Sequence, residues 1–173
     1  MMKKEIVPSI EEALNSFGCI TYKVSGKSMM PMIIPNRDIV TVQKKKEGMK
    51  LNINDVILYR QKDKLILHRI VEVLPEGRYV ILGDNCSRKE YNITEDDIIG
   101  ILTSFKHNGI HYEMTDKRYA VYVKRLRNSE FVRTKRKLIY DILVQHLTFL
   151  PPPLFAKVKT CLKKIIVFQI EFV

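Results

Sequence analysis

The stretch Leu65-Ile66-Leu67-His68-Arg69-Ile70-Val71-Glu72-Val73-Leu74, with Pro75-Glu76-Gly77 and Arg78-Tyr79-Val80-Ile81-Leu82 behind it, decides the fold. Its β-branched and aromatic residues read as two strands, since successive strand side chains point to opposite faces. Proline and glycine between them supply the chemistry of a turn, so the pair reads as a hairpin. Working outward, residues 38–42 and 55–59 are further runs of the same kind. Residues 98–105 and 110–114 flank Lys106-His107-Asn108-Gly109, whose Asn-Gly pair predicts a tight hairpin. The expected fold class is mainly β: an antiparallel domain over residues 20–114.

Helical spacing marks the two ends. Ile10, Ala13, Leu14 and Phe17 predict a short helix over residues 5–17, with Gly18 as its stop. After Thr115, Tyr119, Tyr122, Val123 and Leu126 form one stripe, and Ile139, Ile142, Leu143, His146 and Leu147 another. The run Arg133-Thr134-Lys135-Arg136-Lys137 lies between them, and Pro151-Pro152-Pro153 breaks the chain. Residues 154–173 begin as an amphipathic helix and finish in Ile165-Ile166-Val167-Phe168, which suits a strand equally. The division expected is a β domain over residues 1–115 and a basic helical extension over 116–173.

A chain of 173 residues can bury one core and a small appendage. With 46% apolar and 28% charged residues it falls in the globular class, not the disordered one. No window of about 18 apolar residues occurs, so no bilayer-spanning helix is expected. Two lysines near the N-terminus precede no apolar run, which argues against a signal peptide. Cys19, Cys86 and Cys161 are odd in number and far apart. They read as reduced thiols in a cytoplasmic or peripherally membrane-associated protein, with no metal and no cofactor expected.

The net charge of +11 is unevenly spread. Residues 1–115 hold 17 Lys+Arg against 15 Asp+Glu, whereas residues 116–173 hold 13 against 4. The last third is therefore a candidate contact surface for lipid headgroups, nucleic acid or an acidic partner. It carries no recognised nucleic-acid motif, so an anionic membrane surface or simple packing on the β domain are the favoured readings.

Within the β domain, Val24-Ser25-Gly26-Lys27-Ser28-Met29-Met30-Pro31 offers a nucleophile. A serine hydroxyl needs a base to take its proton and a backbone that exposes it, and Gly26 permits the turn. The bland alternative is a loop serine capping a turn. Strand alternation puts His68 between Ile66 and Ile70 on one face, where desolvation keeps an imidazole neutral and able to accept a proton. Asp84, after Gly83, and Glu90, six residues on, are both candidates to orient that ring. The sequence does not choose between them.

These boxes resemble the serine peptidases of the signal peptidase I and LexA-type repressor group, over roughly residues 20–105. Gly26-x-Ser28-Met29-x-Pro31 is similar to the group's nucleophile box, with Gly26, Met29 and Pro31 implied at the substrate. Residues 38–40 and 54–59 resemble its later strand starts, though Arg37 and Asn54 stand where glycines are usual. Leu67-His68-Arg69-Ile70-Val71 resembles the general-base box and Gly83-Asp84-Asn85 the third. Histidine rather than lysine at the base position resembles the endoplasmic-reticulum-type branch. The resemblance implies a signal-peptidase/LexA-like catalytic domain with Ser28 as nucleophile, His68 as base and Asp84 or Glu90 as orienter. It implies cleavage of an extended peptide or protein segment by acyl transfer, after small residues, as in leader- or signal-peptide processing. The rival reading is a non-catalytic peptide-binding or regulatory module of the same fold with a membrane-binding tail.

Overall fold

Six of the eight antiparallel strands fall on the runs read in the sequence, and β1 and β6 are additional. The computed structural model describes residues 9–166, with the side chains of residues 130–134, 137 and 163–166 outside the description. Strands β1 (Cys19–Lys23), β2 (Ile39–Lys44), β3 (Val56–Gln61), β4 (Lys64–Leu74), β5 (Arg78–Leu82), β6 (Glu90–Thr94), β7 (Ile98–His107) and β8 (Ile110–Glu113) form one sheet. Their order is β1-β2-β7-β3-β4-β5-β6, with β8 on β7. The Asn108-Gly109 hairpin forms as expected, with both residues at positive φ and His107 paired to Ile110.

The N-terminal helix α1 (Ile10–Phe17) starts at a capping box. Ser9 Oγ accepts the Glu12 N–H, and Glu12 returns the bond to the Ser9 N–H at 2.7 Å. Gly18 ends it in the left-handed conformation, at φ 73°. The expected start of this helix, at residues 5–8, lies outside the described residues.

Two apolar clusters sit on the two faces of the sheet. One gathers Leu51, Ile57, Tyr59, Ile70, Ile81 and Ile98. The other joins Leu14, Met29, Val40, Leu58, Leu102 and Phe105 to Tyr119, Tyr122, Val123 and Leu126. Those last four belong to α2 (Lys117–His146), which holds both sequence stripes and the basic run in one uninterrupted helix. Its first turns are thus part of the core. Helix α3 (Pro152–Ile166) begins within the proline run, where a helix tolerates the missing N–H, and packs on α2. Val167 and Phe168, where a strand was an alternative, lie outside the described residues. Among the described residues, no helix is long and apolar enough to cross a membrane.

Candidate active site

The β3–β4 register pairs Ile57 with His68 and Tyr59 with Ile66, which puts these four side chains on one face of the sheet. His68 is buried there, 6% exposed. One strand further on, Arg69 pairs with Leu82, so the next position opposite His68 is Gly83. A Cβ at Gly83 would lie 2.9 Å from His68 Nε2, 2.9 Å from the Ser28 carbonyl oxygen and 2.7 Å from Cys86 Sγ. Glycine is therefore what lets the imidazole, the Ser28 loop and Cys86 converge.

Past that gap, β6 brings Glu90 to the ring. His68 Nδ1 lies 2.9 Å from Glu90 Oε1. A carboxylate only accepts, so the proton sits on Nδ1 and Nε2 keeps its lone pair. Glu90 is itself held: Tyr59 Oη donates to its Oε2 at 2.8 Å and Gln61 Nε2 at 2.5 Å. Burial pushes the His68 pKa below its ordinary value, with Glu90 and then Asp84 opposing the shift. The ring is a neutral base near pH 7.

Asp84 has a different partner. It pairs through both oxygens with Arg69, Nε to Oδ1 and Nη2 to Oδ2, each at 2.8 Å. Tyr122 Oη of α2 donates to the same Oδ2 at 3.0 Å, and Arg69 Nη1 donates to Tyr119 Oη at 2.5 Å. Of the two candidate orienters, Glu90 is the one bonded to His68. Asp84 instead ties its loop to β4 and α2.

That loop holds the Lys27–Ser28 segment. Asn85 N–H donates to the Ser28 carbonyl at 2.7 Å, and Asn85 Nδ2 donates to the Lys27 carbonyl at 3.1 Å. Ser28 is half-buried and lines a cleft of about 460 Å³ with Gly26, Met29, His68 and Cys86. Pro31 is not part of its lining; the Met30–Pro31 peptide beside it is cis. The walls come from the end of β1, at Tyr22 and Lys23, with Val24 just after it, and from the start of β4, at Leu65 to Leu67. Burial pushes the Tyr22 hydroxyl up to about 12, while the neighbouring Lys23 lines the cleft and is exposed. Among the described residues, no hydrogen bond joins Ser28 Oγ to His68, and the Ser28 N–H has no acceptor.

The sequence model of the Peptidase S24-like family matches residues 3–103, a span holding Ser28, His68, Asp84 and Glu90. The chain belongs to that family. No curated protein matches it. Membership of the S24-like peptidases supports a peptidase-type function in general, and the mainly antiparallel β architecture agrees with it. In this S24-like chain, Asn54 stands in the left-handed region at φ 82°, which explains how it replaces a glycine in its box. At the other box the left-handed residue is Asn36 (φ 60°), one position before Arg37.

Tyr59, Gln61, Arg69 and Tyr122 were not singled out in the sequence. The alternation that placed His68 on one face did put Arg69 on the other, among Leu67 and Val71. A buried arginine needs a buried acid. That signal calls for an acid partner without saying which one.

Proposed function

We propose that this chain is a serine endopeptidase that cleaves an extended, unstructured segment of a peptide or protein, such as a leader or signal segment. The observation that carries the reading is His68: its Nδ1 is bonded to Glu90, while its Nε2 faces the Gly83 gap beside the Ser28 backbone. His68 Nε2 takes the Ser28 proton as Oγ attacks the substrate carbonyl. Glu90, positioned by Tyr59 and Gln61, holds the tautomer and stabilises the imidazolium. The Ser28 N–H is a donor for the developing oxyanion. The imidazolium then protonates the leaving amine, and His68 activates the water that releases the acyl-enzyme.

The missing Ser28–His68 hydrogen bond is consistent with a free enzyme, in which such contacts are often long until substrate arrives. β1 ends the sheet order and its last residues wall the cleft, so a substrate strand can add along it. The test is a peptide-library digest read by mass spectrometry, wild type against Ser28→Ala. Cuts that need Ser28 are expected. No Ser28-dependent cut, with or without anionic vesicles, overturns the peptidase. Labelling of Ser28 by a fluorophosphonate, lost in His68→Ala, separates the enzyme from a non-catalytic peptide-binding module.

A further inference from the structure

Helix α2 changes the side on which its apolar residues stand. At about 100° per residue, Tyr119, Tyr122, Leu126 and Tyr140 share one side, and all four are buried. Leu138, Ile139 and Ile142 stand on the opposite side and face water, at 41–51% exposure, with Leu143 at the border of the two sides at 39%. Beyond the helix end, Phe149 is 78% exposed and Leu154 of α3 is 46% exposed. Exposed cations accompany them: Lys135 and Arg136 on α2, Lys157 and Lys159 on α3. Residues 116–173 carry 13 Lys+Arg and 4 Asp+Glu, and one of those acids, Asp141, is engaged by Ser87 Oγ at 3.4 Å.

We propose that the distal half of α2, the Phe149 turn and α3 form a docking surface for an anionic lipid bilayer. Charge complementarity selects this occupant. An interfacial segment needs apolar and aromatic side chains that enter the headgroup boundary, together with cations that meet acidic lipid. A water-facing stripe of leucine, isoleucine and phenylalanine on a strongly basic hairpin supplies both. The surface lies next to the cleft: Cys86 lines it, Ser87 follows Cys86, and the Asp141 that Ser87 contacts precedes Ile142. Docking there brings the cleft to the bilayer surface.

The test is sedimentation of the full chain with phosphatidylcholine vesicles, with and without phosphatidylglycerol. Binding to the acidic vesicles is expected at low salt, with loss near 1 M salt, where the screening length is about 3 Å. Ile142→Ser with Phe149→Ser, and separately Lys135→Glu with Arg136→Glu, are each expected to lower partitioning by about tenfold or more. Thermal melting checks that each variant folds; should the apolar pair misfold, the charge pair decides. Absence of binding at low salt overturns the proposal, as does wild-type binding by folded variants. Self-association abolished by Phe149→Ser, without vesicle binding, also overturns it and assigns the face to a second copy. The readout is sedimentation, so a failure here leaves the peptidase reading standing, and the reverse holds too.

Discussion

At His68 the decisive matter is which ring nitrogen is bare. Glu90 accepts a hydrogen bond from Nδ1–H, and Nε2 is left towards the Ser28 loop. Because burial lowers the folded-state pKa below the ordinary 6.5, the folded protein binds fewer protons than the unfolded chain just below that pH. Stability from this group is therefore full above about 6.5 and lost as pH falls towards the folded value. The acid limb of kcat/KM is expected below 6.5, read from a pH–rate profile; a limb above it contradicts the assignment. Glu90→Gln removes a charge that raises the His68 pKa, so the limb moves to still lower pH while kcat/KM drops roughly 10²–10⁴-fold. An unmoved limb would mean that Glu90 is merely structural. Gly83→Ala would press on His68 Nε2, the Ser28 carbonyl and Cys86 Sγ together. Its expected cost is about 1–3 kcal/mol of stability and, from displacement of the reacting groups, about a hundredfold in kcat/KM. Wild-type rates for that variant would show that these groups need not converge. Ser28 and His68 were legible because their boxes are local. Glu90 could not be separated from Asp84, because the choice depends on strand order: β5 lies between β4 and β6, and only that spacing brings residue 90 to residue 68.

Among the elements, α2 is anchored on the sheet by a buried ion pair. Burial opposes the Arg69 charge, but Asp84 and then Tyr119 outweigh it, and the guanidinium pKa stands above its ordinary value. Asp84→Asn leaves that charge uncompensated, and a loss of about 3–5 kcal/mol is expected in chemical denaturation. Tyr122→Phe removes one hydrogen bond to Asp84 and is expected to cost about 1–3 kcal/mol. Values near zero for Asp84→Asn would mean that the pair does not hold helix to sheet. The strands legible in advance were the β-branched and aromatic runs with several consecutive buried residues, such as β4 and β5. β6 reads Glu90-Tyr91-Asn92-Ile93-Thr94 with only Ile93 buried, and β1 alternates over five residues without a fully buried one, so neither carries a long apolar run. Both are nonetheless the strands that carry Glu90 and the cleft wall. The helical stripes of α2 were also legible, but the sequence could not say that one lies against the sheet and the other faces water. That difference comes from Arg69 and Phe105, which Tyr119 meets, and from Asp84, to which Tyr122 donates.

Across the whole molecule, stability should vary along a single helix. Residues 117–126 of α2 bury Tyr119, Tyr122, Val123 and Leu126 in the same cluster as α1, β2, β3 and β7. They can open only when that cluster does, so their amides should exchange as slowly as those of the central strands. Residues 138–146 bury Tyr140 but expose Leu138, Ile139, Ile142 and Leu143, and local opening there gives up far less apolar contact. Native-state hydrogen exchange should therefore show protection falling along α2, with α3 following its distal half. Uniform protection from residue 117 to 146 would mean that the helix opens as one unit with the sheet. The same gradient bears on function. A distal half that opens cheaply can settle on a lipid surface without disturbing Asp84, whereas the proximal half must stay closed for the Asn85–Ser28 contact to persist. Acidic vesicles should then raise protection in residues 138–166 alone, and a rise spread evenly over the sheet would instead mark general stabilisation by binding.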